Sequence, residues 1–205
     1  MTINRLITGF RSFRETYYEE QPDFYRLLVE KGQKPDVMVI ACSDSRVNPS
    51  IIAKVEPGEL FIVRNVANLV PPYEPDSGYH GTSAAIEFAV RDLNVGHIIV
   101  LGHSHCGGIQ ALCESHGGNS NREFIAGWMS IVAQARNKNL EGEAQHRHVE
   151  REAVKISLDN LLSFPWVKKR VGDGQLELHG WFFDLVAGEL LAHIDGDRWE
   201  AATAN

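Results

Sequence analysis

Three short apolar runs rich in β-branched residues, at 37–41, 60–63 and 97–101, stand out from the polar background of the chain. Such runs suit strands whose two faces are both covered, as in a parallel sheet. Between the last two, Ala85, Ile86, Ala89, Val90 and Leu93 recur at three- and four-residue spacing and predict a helix over 82–93. Strand, helix and strand in this order predict βαβ units. The expected fold class is therefore α/β, a mostly parallel central β-sheet flanked by helices. The same periodicity predicts helices over 109–116, 123–136 and 143–162. The last sets Val149, Ala153, Ile156 and Leu161 against a charged face expected to be solvated. Toward the C-terminus, 176–183 and 189–194 flank Ala187-Gly188 and predict a hairpin on the sheet edge.

The first 32 residues follow a different pattern. Leu6, Ile7, Phe10, Phe13, Tyr17 and Tyr18 lie at helical spacing and predict an amphipathic helix over 3–20. Pro22 can open a second helix over 23–31, and Gly32 can close it. The strand pattern begins only at Val37, so this arm has little of its own to pack on. Its aromatic face is expected against a partner subunit. No repeat, low-complexity tract or linker interrupts the rest, which predicts one domain across 1–205 with the helical arm at 1–32.

Composition narrows the function without choosing it. Hydrophobic residues at 43% and charged residues at 23% are ordinary for a globular chain. A net charge of −7 with no basic run argues against nucleic acid or an anionic membrane as partner. No segment reads as a signal peptide or a bilayer span, so a cytoplasmic location is expected. Three cysteines, an odd number, do not make a disulfide framework, and a reducing compartment suits thiols that bind metal. Cys113, set inside a predicted helix, is expected to be a buried apolar cysteine.

The chemistry concentrates after two of the predicted strands. Ala41-Cys42-Ser43-Asp44-Ser45-Arg46 follows the first run, and Gly102-His103-Ser104-His105-Cys106-Gly107-Gly108 follows the third. In open α/β sheets, sites form outside the carboxyl ends of strands. Cys42, His103 and Cys106 make a Cys₂His zinc set with a fourth position open, the arrangement of a catalytic rather than a structural zinc. His103 is the expected ligand rather than His105, because neighbouring side chains such as His105 and Cys106 rarely converge on one ion. Gly107 and Gly108 are expected to let the backbone turn tightly beneath the metal. Asp44 and Arg46 are two residues apart, and in an extended segment they would share a side with Cys42. A carboxylate held by a bidentate arginine stays ionised and fixed in direction. It can orient a zinc-bound hydroxide by accepting its proton, or it can swing in and close the fourth position. The other histidines, His80, His97, His116, His146, His148, His179 and His193, lack ligand spacing and are expected at the surface or in core hydrogen bonds.

The two motifs together resemble the paired signature of the β-class carbonic anhydrases. The resemblance runs from about residue 33 to 112 and includes Glu56-Pro57-Gly58-Glu59, Arg64-Asn65-Val66-Ala67-Asn68 and Gly81-Thr82-Ser83-Ala84-Ala85-Ile86-Glu87. It resumes at Leu178-His179-Gly180-Trp181. It implies reversible hydration of carbon dioxide to bicarbonate and a proton, one Zn²⁺ per subunit on Cys42, His103 and Cys106, and Asp44 and Arg46 as a catalytic dyad. It also implies a homodimer or higher even oligomer, with a substrate cleft at the interface onto which Gln33, Phe61, Val66 and Phe88 map. Gln33 would donate to a substrate oxygen, and the other three would form an apolar wall. Phe88 falls where some members carry Tyr. Members inhibited by bicarbonate at a second site use a Trp, an Arg and a late Tyr. Arg64 is present here, but Val39 and Phe183 occupy the two aromatic positions. That departure predicts the constitutively open type, with Asp44 held by Arg46 and off the metal.

Overall fold

The computed structural model describes residues 2–114 and 122–203. They fall into two compact units, one up to Lys34 and one from Pro35 onward.

The first unit is a helical hairpin held by aromatic rings. Helix α1 (Ile3–Arg14) is capped by the Thr2 hydroxyl, which accepts the Arg5 N–H. The predicted helix over 3–20 changes winding at Glu15, and Glu15–Glu20 is wound as a π-helix. Helix α2 (Pro22–Lys31) has Pro22 in its first turn and stops at Gly32, whose φ of 67° lies in the left-handed region. Phe13 packs on Tyr17 at 4.9 Å between ring centroids, Tyr18 stacks on Tyr25 at 4.9 Å, and Tyr17 meets Phe24 at 5.2 Å. None of the residues in these helices is fully buried.

The second unit is built on a six-stranded sheet. Its strands are β1 (Val37–Cys42), β2 (Leu60–Asn65), β3 (His97–His103), β4 (Glu177–Asp184), β5 (Glu189–Asp195) and β6 (Arg198–Ala201). Their order is β2-β1-β3-β4-β5-β6. The pairings β1–β2, β1–β3 and β3–β4 are parallel, while β4–β5 and β5–β6 are antiparallel. The predicted hairpin is present, but β4 lies inside the sheet beside β3 and the edge belongs to β6. That strand has only four residues, Arg198-Trp199-Glu200-Ala201, too few and too polar for an apolar run.

The helices around the sheet are α3 (Pro49–Ala53), α4 (Gly81–Glu87), α5 (Gly107–Glu114), α6 (Ile125–Met129), α7 (Gly142–Ser163) and α8 (Pro165–Gly172). The helix expected over 82–93 rewinds at Phe88, and Phe88–Asp92 is π-wound. The helix expected over 123–136 tightens after Met129 into a 3₁₀ segment, Ser130–Ala135. The end of the one expected over 109–116, His116 included, lies outside the described residues. Alternation along the strands sorts side chains to two faces. Met38, Ile40, Ile98 and Val100 pack with Ile86, Ala89, Val90, Val154, Leu161 and Phe164. Val39, Ala41, Ile99 and Leu101 point the other way, among Ile62, Trp181 and Phe183. A third cluster, around Cys42, Ala67, Leu69, Cys106, Ile109 and Val149, lies at the carboxyl ends of β1 and β3. Gly102 is needed for the last approach, since a Cβ there would sit 2.5 Å from Val154 Cγ2 on α7.

Candidate metal centre

Register places the motifs side by side. Ala41 on β1 pairs with Leu101 on β3, so Cys42 and His103 both emerge at the carboxyl end of the sheet. The chain leaving β1 does not stay extended, as equal-side placement of Cys42, Asp44 and Arg46 would require; it turns. The Arg46 N–H donates to Asp44 Oδ1 at 2.9 Å, and the Ser43 N–H donates to the Asn65 carbonyl at 2.7 Å. Arg64 clamps this turn from β2. Its Nε donates to the Cys42 carbonyl at 2.9 Å, and its Nη2 to the carbonyls of Asp44 and Val47 at 2.6 and 2.7 Å. The turn after β3 is tied down by Ser104, whose N–H donates to the Phe183 carbonyl and whose hydroxyl accepts the Leu185 N–H.

Cys42, His103 and Cys106 converge. Their donor atoms all lie within 4.8 Å of one another, and the three residues are 5%, 1% and 2% exposed. His103 Nδ1 is 2.8 Å from the Ser104 carbonyl, which makes Nδ1 the proton-bearing nitrogen. Nε2 is left with a lone pair, buried, and, among the described residues, without a hydrogen-bond partner. An orphaned buried acceptor beside two thiols is costly unless an ion satisfies it. The spacing fits as well. Two sulfurs at 2.3 Å from one tetrahedral zinc would stand about 3.8 Å apart, and the two Sγ atoms here are separated by 3.9 Å. Two cysteines and a histidine with Nε2 free are the donor set zinc takes up, so the residues present fit the ion.

Electrostatics follow from this packing. The Cys42 thiol is brought down to about 4, by the hydrogen bond from Cys106 against the opposing cost of burial, with help from His103 and the Asp44 N–H. Cys106 is pushed up by the ionised Cys42 beside it and by burial. Burial lowers His103, but the Cys42 sulfur, the Ser104 carbonyl and Asp44 together outweigh it and the net shift is upward. Asp44 is held well below the usual carboxylate range by the Arg46 guanidinium. That contact is bidentate, Nε to Oδ1 at 2.9 Å and Nη2 to Oδ2 at 2.7 Å. Arg46 Nη2 also donates to the His105 carbonyl at 2.9 Å, joining the two loops.

The remaining expected site residues are placed unevenly. Val66 lies against the turn, since a Cβ on Gly108 would come 2.7 Å from Val66 Cγ1. Phe61 and Phe88 pair with each other at 5.9 Å between centroids. Phe61 is level with Met38, four residues back from the end of β1. Gln33 belongs to the N-terminal unit and is exposed. The tight backbone turn is not made by the glycines: His105 carries the positive φ, 56°, while Gly108 serves close approach. His105 itself is exposed and stands outside the cluster. Val39 is buried on the sheet face that also holds Phe183, and Phe183 is level with His103.

Sequence reasoning missed Glu150. It belongs to the face of α7 expected to be solvated, yet it is 3% exposed. Its Oε1 accepts the Cys106 N–H at 2.9 Å, Oε2 has no hydrogen-bond partner among the described residues, and burial raises its pKa. The available signal was a carboxylate directly beside Val149 in the apolar stripe of α7.

The fold and donor set define an α/β protein with a zinc-type centre at the carboxyl ends of parallel strands. A family model described as carbonic anhydrase matches residues 37–190. Beta carbonic anhydrase 3 of Arabidopsis thaliana is 42% identical over 206 residues, covering 97% of this chain and 77% of the relative. The solved structure of the β-carbonic anhydrase CcaA superposes with a TM-score of 0.88 at 34% identity, covering 98% of this chain and 92% of that one. One of two tetrameric β-carbonic anhydrases from Sordaria macrospora gives 0.81 at 27% identity, with 92% and 95% covered. The chain belongs to the β-class carbonic anhydrases.

Proposed function

We propose that this chain hydrates carbon dioxide reversibly to bicarbonate and a proton at one zinc ion per subunit, held by Cys42, His103 and Cys106. The observation that carries the reading is the partnerless, buried Nε2 of His103 facing two thiol sulfurs 3.9 Å apart. When bound, zinc acts as a Lewis acid that lowers the pKa of a water toward neutrality; the size of that effect is carried over from carbonic anhydrases with three histidine ligands.

The chain's own residues supply direction. Asp44 is ionised across the neutral range, and both its oxygens are engaged by Arg46. It accepts a hydrogen bond from the attacking oxygen's O–H and thereby aims that atom's lone pair at the substrate carbon. Arg46 is a positioning residue: it fixes the carboxylate and, through the His105 carbonyl, the loop that carries Cys106. The same ion pair supports the open type, in which Asp44 stays off the metal. Val66, Phe61 and Phe88 offer the apolar surface that suits carbon dioxide, and Gln33 the donor to a substrate oxygen. The family resemblance assigns these four to a substrate cleft at an interface with a second copy of the chain. Self-association as a homodimer or higher even oligomer follows. Reduced thiols as ligands suit a reducing compartment such as the cytoplasm. Among the described residues, no helix is long and apolar enough to cross a membrane.

Stopped-flow carbon dioxide hydration with a pH indicator, before and after zinc removal and on zinc return, tests the reading. Activity that survives full metal removal would overturn it. A crystal grown near pH 7 with Asp44 on the metal would overturn the open assignment.

A further inference from the structure

At the opposite end of the sheet, a second set of donor atoms converges. His97 opens β3, and Glu177 and His179 open β4. In the parallel register, His97 is level with Glu177 and Ile99 with His179, so all three side chains stand on one face of the sheet. His97 Nδ1 and His179 Nε2 are 3.1 Å apart, and Glu177 Oε2 is 3.7 Å from each. At 3.7 Å the carboxylate makes no hydrogen bond to either ring.

The geometry points to a second metal site, made of His97, Glu177 and His179, for a divalent late transition ion such as Zn²⁺ or Ni²⁺. The circle through the three donor atoms has a radius of about 2.0 Å, the length of a zinc–nitrogen or zinc–carboxylate bond. Two imidazoles and one carboxylate also match the taste of such ions, which prefer nitrogen with some oxygen to an all-oxygen cage. The donors sit on paired strands rather than on a loop, which fixes two of them without an ion present. Side-chain exposures of 38% for His97, 68% for Glu177 and 34% for His179 leave the remaining coordination positions to water. A hydrogen bond between the two rings accounts for their own spacing, but it does not draw the carboxylate to a point equidistant from both.

The site lies six residues from His103 along β3, about 20 Å away, and it stands independently of the proposed catalytic centre. The test starts from the purified enzyme loaded with one zinc per chain and titrates ZnCl₂, then NiCl₂, by calorimetry. Metal content is measured after desalting. A second equivalent is expected for the wild-type protein. It should be lost in His97→Asn and His179→Asn and weakened about tenfold or more in Glu177→Gln, with carbon dioxide hydration unchanged in all three. Should a replacement fail to fold, wild-type crystals soaked in NiCl₂ should show an anomalous peak among the three side chains. No second equivalent in the wild type, its retention in His97→Asn/His179→Asn, or an empty triangle after soaking would each overturn the proposal.

Discussion

The two ends of β3 each carry a histidine, and their surroundings differ. At the carboxyl end, His103 is almost completely buried, its Nδ1 is tied to a carbonyl, and its Nε2 has nothing to bond. At the amino end, His97 is more than a third exposed and shares a hydrogen bond with His179. Residue type alone therefore does not make a site. At the carboxyl end the turns after β1 and β3 have their backbone fastened, by Arg64, Ser104 and Glu150, before any ion arrives. At the amino end the side chains of His97, Glu177 and His179 stay open to solvent. The first cluster is closed over by the protein, and the second is reached directly from solvent.

The largest effect that would break this comparison comes from Cys106→Ser. Removing one of two soft ligands should empty the carboxyl-end centre and abolish hydration; metal content and stopped-flow rates on the same sample check it. Full zinc occupancy in that variant would remove Cys106 from the ligand set.

Asp44→Asn separates holding the ion from using it. Zinc content should stay at one per chain, while kcat/KM falls by about 10²-fold, the scale of loss when a reacting atom is misdirected. Hydration rates equal to the wild type would take Asp44 out of the reaction.

Glu150 sharpens the comparison from beneath. In Glu150→Ala the buried Cys106 N–H loses its acceptor, at a cost of about 1–3 kcal/mol. Glu150→Gln keeps an acceptor and should cost less. Urea midpoints of the two variants decide; equal losses would mean that the hydrogen bond is not what Glu150 contributes.

The smallest effect is in the acid range. Arg46 lowers the native pKa of Asp44 below its unfolded value of roughly 3.9, so the native state binds fewer protons there than the unfolded chain. The pair's stabilisation is complete above the unfolded value and is lost as pH falls toward the native one. Arg46 is half exposed, which limits the contribution to below about 1 kcal/mol. The stability difference between wild type and Arg46→Ala should therefore shrink as pH is lowered from 6 through 3. A difference that grows would reverse the assigned sign.

Much of this was legible in one dimension. The runs at 37–41, 60–63 and 97–101 are strands because continuous β-branched apolar sequence has few other uses in a chain of this composition. The step from His103 to Cys106 is local, and so is the Asp44–Arg46 pair, which explains why both could be read from spacing. The helices over 3–20, 82–93 and 123–136 were located correctly but wound differently at one end. Hydrophobic spacing of three and four residues tolerates a π or 3₁₀ segment and does not report it.

Residue order alone thus determined which segments are apolar enough to be covered and which side chains are able to ligate or ionise, because both are written in each residue and its near neighbours. Tertiary structure decided who meets whom. It set β4 beside β3 instead of at the edge, brought Cys42 to a histidine sixty-one positions away, and turned Glu150 inward under Cys106. It also carried His179 to His97. Those meetings depend on strand register and on the packing of α7 against Gly102, and apolar periodicity says that a face is covered without naming the partner that covers it.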